Sequence, residues 1–198
     1  MARIDEIIAR MQTLQEELQV EFDKRRADFA FTVEQKRIRF AEDVLELQRR
    51  RKRGVLRYIF GASPLNWLAI PVIWSGLPVM ALLDLFLFAY QGICFPAYKI
   101  PKVKRSDYVL LDRGDLPYLN FIEKLNCAYC GYANGLAGYF REIAARTEQY
   151  WCPIKHARRI VATHDHYPKF FEFGDAESYR LGLERLRAQL QELEEAAG

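Results

Sequence analysis

The chain has 198 residues, of which 51% are hydrophobic, 28% charged and 14% aromatic, and its formal net charge is +3. That length allows one or two small domains, the aromatic content excludes a disordered chain, and four cysteines are too few for a disulfide scaffold. The charge is too mild for a nucleic-acid partner to be expected without a concentrated basic patch.

Averages conceal a segregation. Residues 1–60 contain 25 charged side chains, whereas residues 61–98 contain one, Asp84. The first sixty residues have no proline and a single glycine, Gly54, and Ile4, Ile8, Met11, Leu14, Leu18 and Phe22, then Phe29, Val33, Phe40, Val44 and Leu47, recur at helical spacing. This predicts one long amphipathic helix or two. The consecutive four-residue steps from Leu14 to Leu18 to Phe22 suit a short bundle or a locally unwound coiled coil.

Residues 61–98 read as a membrane segment. The run 65–95 would be about 46 Å long as a straight helix, against about 30 Å of bilayer hydrocarbon. Pro71, Gly76 and Pro78 divide it, which predicts helix, break, helix. Basic residues flank both ends: Arg49, Arg50, Arg51, Lys52, Arg53 and Arg57 before it, and Lys99, Lys102, Lys104 and Arg105 after it. Positive flanks favour the cytoplasmic side, so the expected form is a re-entrant hairpin with both ends cytoplasmic. The rivals are one kinked span and a buried helix of a soluble core. The run begins after sixty residues of charged helical pattern, so it does not read as a signal peptide. Arg49–Arg53, Lys99, Lys102, Lys104 and Arg105 are expected to touch anionic lipid head groups, at about 1 kcal/mol per residue. Asp84, a carboxylate inside the run, is a candidate functional residue, or else a carboxylate neutralised by protonation or an arginine.

Residues 99–174 are expected to form a Cys/His-containing helical domain. Tyr108 to Asp112 has the composition of a short strand. A helix is predicted from Leu116, with Pro117 in its first turn, to about Ala133. Asn134-Gly135 reads as a turn, a second helix as 136–151, and a third as 153–163 with Pro153 at its start. Residues 175–198 read as a C-terminal amphipathic helix capped by Asp175, with Tyr179, Leu183, Leu186, Leu190 and Leu193 on one face. The terminal helices need partners, either each other or a second copy in a homodimer.

Four residues carry metal-ligand chemistry. Cys127 and Cys130 stand three apart and Cys152 and His156 four apart, so each pair shares one helical face. Three thiolates and an imidazole suit structural zinc, or iron. A continuous helix between the pairs would separate them, requiring a kink near Gly138 or a second subunit. Without metal, Cys152 is the candidate nucleophile: at the N-cap of a helix starting at Pro153 its thiolate would be favoured, with His156 one turn on as base. Cys127 and Cys130 also have redox spacing but lack a surrounding βαβ pattern. Glu123, Glu142 and Glu148 are carboxylates on the same helices, for which surface ion pairs compete with a dimetal site. His164 and His166 read as loop polars with a smaller chance of ligation. Gly131, Gly135 and Gly138 would permit close approach of another helix.

The strings Ile-Pro-Lys-Val-Lys-Arg at 100–105, Glu-Lys-Leu-Asn-Cys-Ala-Tyr-Cys at 123–130 and Arg-Glu-Ile-Ala-Ala-Arg-Thr-Glu-Gln-Tyr-Trp-Cys-Pro-Ile-Lys-His at 141–156 resemble a group of bacterial inner-membrane-associated proteins with no assigned reaction. The likeness spans roughly 65–180. It implies a bacterial inner-membrane setting and points to the cysteine segments.

The sequence thus predicts an all-α, membrane-anchored protein whose bulk lies on the cytoplasmic side. Two functions follow: an interaction or scaffold protein with a structural Cys/His site, or an enzyme acting on a membrane-embedded substrate through Cys152, His156 and Asp84.

Overall fold

Helices dominate the computed structural model, as the spacing predicts. It describes residues 2–27, 31–34, 37–40 and 42–195. Phe29, the side chain of Leu193 and Gly198 lie outside the described residues. By internal contacts the chain divides into two units, Met1–Gly61 with Asp112–Leu125, and Ala62–Leu111 with Asn126–Gly198.

The first unit holds α1 (Ala2–Ala27), a β-hairpin, α2 (Glu42–Arg50) and α3 (Val55–Phe60). Ile7, Met11, Leu14, Leu18 and Phe22 of α1 are exposed, so its apolar stripe is uncovered. The hairpin corrects the helical reading of residues 29–40. Strands β1 (Phe31–Glu34) and β2 (Arg37–Phe40) pair antiparallel, Phe31 opposite Phe40 and Glu34 opposite Arg37. Phe31, Val33, Ile38 and Phe40 alternate with polar residues, and this two-residue period with β-branched and aromatic content outcompetes the sparser helical spacing. The unit also holds the cap of the next long helix. Asn120 Oδ1 accepts from the Glu123 backbone N–H at 3.0 Å, and Glu123 Oε2 accepts from the Asn120 N–H at 2.9 Å. This reciprocal capping box starts α5 (Phe121–Trp151) after Asn120, five residues later than the predicted start at Leu116. It also accounts for Glu123 without a metal.

The second unit is built on α4 (Pro64–Tyr98), one unbroken helix of 35 residues. It replaces the expected helix-break-helix. Pro71, Pro78 and Pro96 all lie inside it. Each removes one N–H donor, and a helix among apolar side chains keeps its remaining bonds because its backbone has no other partner. The Tyr129 hydroxyl of α5 donates to the Ile73 carbonyl at 2.6 Å, tying the two helices together at this level. At 1.5 Å per residue α4 is about 52 Å long.

α5 also runs on where a turn was expected. The Asn134 side chain donates to the Cys130 carbonyl one turn back, at 2.9 Å, and the helix passes through Gly135 to Trp151. α4 and α5 lie side by side and run in the same direction: Trp74 meets Tyr129, Asp84 meets Tyr132, Gln91 meets Tyr139, and Tyr98 meets Tyr150 and Trp151.

Two parallel helices require a return connection, and residues 99–111 supply it as a strap. Lys99 takes a left-handed conformation (φ 54°) and the Ile100 N–H bonds the Phe95 carbonyl at 2.8 Å, which ends α4 and reverses the chain. Ile100 and Val103 then enter the core with Leu87, Phe95, Leu136, Tyr139 and Ile143. Gln91 holds the strap like a strand partner, its Oε1 accepting from the Val103 N–H at 3.0 Å and its Nε2 donating to the Val103 carbonyl at 3.3 Å. Further down, the strap lies against the three glycines. A Cβ on Gly135 would sit 2.6 Å from the Tyr108 carbonyl oxygen, one on Gly131 3.1 Å from that of Leu110, and one on Gly138 3.2 Å from the Tyr108 ring. The small-residue stripe therefore receives irregular chain that follows the short turn Arg105–Asp107, not a second long helix. With its backbone committed to this groove, the expected strand at 108–112 does not form.

After α5, residues 152–175 form a closed loop in place of the predicted third helix. Ile154 bridges Phe171, the Lys155 N–H bonding the Phe171 carbonyl at 2.7 Å and the Phe171 N–H that of Pro153 at 2.9 Å. Backbone groups that a helix from Pro153 would need are thus engaged elsewhere. α6 (Ala176–Glu195) begins as predicted, Asp175 Oδ1 accepting from the Ser178 N–H at 3.0 Å. Its predicted seam is its inner face: Leu186 and Leu190 are buried, and the helix is tied to α5 by Gln149 Nε2 to the Leu186 carbonyl and Arg187 Nε to that of Tyr150.

Candidate functional site

The four expected metal ligands are not brought together within the chain. Cys127 and Cys130 lie on α5 and Cys152 just beyond its end, so the unbroken helix separates Cys130 from Cys152 by about 33 Å. Among the described residues no three His, Cys, Asp or Glu side chains cluster as a metal would need. Among the described residues no further ligand joins Cys127 and Cys130.

Cys152 also lacks the environment of an activated thiolate. It trails the C-terminus of α5, its N–H bonding the Glu148 carbonyl at 2.9 Å, so the helix field opposes a negative charge there instead of favouring it. Burial, and then the Glu148 carboxylate, push its thiol above the ordinary cysteine range. His156 does not act on it: its N–H donates to the Tyr167 hydroxyl at 2.7 Å and its ring stacks on Tyr167. Alkylation of Cys152 at neutral pH is therefore expected to be no faster than that of a free cysteine. Hyper-reactivity in a thiol-labelling time course would contradict this.

Asp84 is paired by arginine. The Arg105 guanidinium grips it with two parallel bonds, Nε to Oδ1 at 3.0 Å and Nη2 to Oδ2 at 2.7 Å, and the Tyr132 hydroxyl adds a third at 3.0 Å. A bidentate fork fixes orientation as well as neutralising charge. The only charged residue of the apolar run thus ties strap, α4 and α5 together, and Arg105 is committed to it.

A polar cluster lies where the loop crosses α5. The ring of His166, a buried residue, has Nδ1 at 2.6 Å from Gln149 Oε1 and Nε2 at 3.2 Å from Glu142 Oε1. Arg146 bonds Glu142 at 2.7 Å and the Pro101 carbonyl of the strap at 2.9 Å. Desolvation pushes the Glu142 carboxyl up, but the bonds from His166 and Arg146 and their charges outweigh it and bring it down to about 2. One turn further, His164 Nε2 lies 2.9 Å from Glu148 Oε2. Arg141 donates to the carbonyls of Ala162 and Thr163.

No family model, curated protein or solved structure matches this chain. Its own geometry must carry the reading.

Beside the Glu148–His164 pair an open groove of about 400 Å³ runs between α4 and α5. Phe86, Tyr90, Phe140, Ala144 and Trp151 form most of its walls, with Glu148 and Cys152 at one end. The sequence flagged Glu142, Glu148, His164 and His166 but not their pairing, because loop and helix meet only in the fold. Gln91 was missed, although an amide within so apolar a run was itself a signal of a buried backbone partner.

α4 also presents a broad apolar surface. It is long and apolar enough to cross a membrane, and only its Leu87, Gln91 and Phe95 are buried. Leu65, Leu68, Val72, Val79, Leu82, Leu85, Phe88 and Ile93 are each at least 64% exposed.

Proposed function

We propose that the protein is a membrane-anchored interaction or scaffold protein on the cytoplasmic face of a bacterial inner membrane, with α4 lying along one leaflet. The observation that carries this is the uncovered apolar surface running the length of α4. So large an exposed patch is rare on a monomeric soluble protein and marks a membrane or protein contact. Two features favour lying along the leaflet over crossing it. An unbroken helix cannot dip and return, yet basic residues flank both of its ends, which suits both ends facing the cytoplasm. The strap also covers one side of α4 with exposed Lys102 and Lys104, and an extended segment carrying lysines belongs in water, not in hydrocarbon. Lys99, Lys102, Lys104 and Arg49–Arg53 then reach anionic head groups. The exposed stripe of α1 is the surface for self-association with a second copy.

Fractionation and labelling test this reading. The protein should pellet with membranes and be released by detergent, not by salt. Cysteines introduced as Ser63→Cys and Lys102→Cys, at opposite ends of α4, should both react with an impermeant maleimide from the cytoplasmic side only. Labelling from opposite sides would establish a span, and a soluble protein would end the membrane reading altogether.

A further inference from the structure

We propose that the groove between α4 and α5 holds one acyl chain of a phospholipid drawn from the surrounding leaflet. This rests on the membrane reading of α4 and goes beyond it, because a helix can lie in lipid without binding any particular molecule.

Four observations on the groove agree. Its walls are aromatic and aliphatic, and its one opposed polar pair, the Tyr90 and Thr147 hydroxyls, is 3.3 Å apart and self-satisfied. An apolar occupant therefore strands no hydrogen-bonding group. Its extent along α5, from Phe140 to Trp151, is about 17 Å by helical rise, which is about half the bilayer's hydrocarbon thickness of about 30 Å and so about the length of one acyl chain, lying beside α4 in the plane of the leaflet. It is open and continuous with the exposed side of α4: Phe86, in its wall, is 57% exposed and shares a helix face with Leu82 and Ile93, at 68% and 75%. A chain can enter sideways from the leaflet without leaving an apolar environment. Finally, the groove changes character at one end. There Trp151 packs against Tyr98, Lys99 follows Tyr98 in the chain, and Glu148 is met by His164. Tryptophan and lysine are side chains enriched beside lipid head groups, so this end of the groove suits the head group of the bound lipid.

Ala144 gives a clean way to close the groove. It lies in the wall with its side chain toward open space, so Ala144→Phe fills the channel without displacing a packed neighbour. The full chain, purified from membranes in mild detergent, is expected to retain about one intact phospholipid, counted by native mass spectrometry, and Ala144→Phe to reduce this about tenfold by occupying the same volume. A second readout does not depend on that variant. In Trp67→Phe/Trp74→Phe the remaining Trp151 should be quenched by phosphatidylcholine brominated in its acyl chains, added to micelles at low mole fraction, more than by the same lipid brominated in none. A membrane-bound protein that carries no phospholipid, that carries it equally after Ala144→Phe, or that carries only free fatty acid or detergent overturns the groove while leaving the anchor intact. A protein that never enters the membrane fraction overturns the anchor, and the groove with it.

Discussion

Gly135→Ala is expected to destabilise the second unit by about 1–3 kcal/mol, the cost of overpacking a closed interior. The new Cβ would meet the Tyr108 carbonyl oxygen at 2.6 Å and the Val109 Cα at 2.8 Å, both backbone atoms of a strap held by its own side chains. Neither can rotate away. Alanine improves helix propensity over glycine by about 1 kcal/mol, so the clash must exceed that gain, and the series of glycines shows where it does. Gly131→Ala meets the Leu110 carbonyl at 3.1 Å and should be milder. Gly138→Ala meets only the edge of the Tyr108 ring at 3.2 Å, which can shift, and should lie near neutrality. Gly92→Ala, in α4 with nothing within 4 Å, should stabilise. Thermal unfolding of the four variants in detergent gives the order directly. If Gly135→Ala is as stable as Gly92→Ala, the strap does not lie in the glycine groove.

The same glycines mark how far the sequence could be read. Their spacing permitted close approach of another helix, but did not show that the visitor is an irregular strap, because the strap has no periodicity of its own. The C-terminal helix was legible to the residue: Asp175 caps it and Leu186 and Leu190 face inward, because capping and amphipathic spacing are local. Pro71, Pro78 and Asn134-Gly135 misled for one reason. Breaker residues weigh heavily only where the backbone has an alternative to the helix, and beside apolar neighbours or a packed strap it has none. The placement of Cys152 inverted with Pro153. Read as the first residue of a helix, that proline made Cys152 an N-cap; in the fold it follows a C-terminus, and the sign of the helix field on the thiol reverses with it. The pairings of Glu142 with His166 and Glu148 with His164 join residues 24 and 16 positions apart and depend on how the loop closes at Ile154 and Phe171, which no local pattern encodes.

That closure suggests the second large effect, in the Glu142 network. Glu142 lies between Arg146 and His166, with side-chain exposures of 17%, 16% and 9%, and its carboxyl is held at about 2 against an ordinary 4.5. A carboxyl depressed on folding stabilises the fold above its unfolded value and loses that contribution as pH falls toward its folded value. The contribution should be complete above about pH 5, decline through the pH 4 to 2 range, and amount to about 3 kcal/mol at neutrality by the difference in affinity for the proton. Glu142→Gln keeps the shape but leaves the Arg146 cation without its counterion, so it should cost a similar amount at pH 7, at the lower end of the 3–5 kcal/mol typical of a broken buried pair. The decisive comparison is between the two proteins across pH. Their unfolding free energies should differ by about 3 kcal/mol at pH 7 and converge toward pH 2, where the native carboxylate is itself taking up its proton. A gap that stays constant with pH would mean that glutamine perturbs packing alone. Because Arg146 also bonds the Pro101 carbonyl and His166 brings in the loop, losing this charge should loosen strap and loop together. Faster proteolysis within 100–111 and within 152–175, appearing in the same variant, is the expected sign.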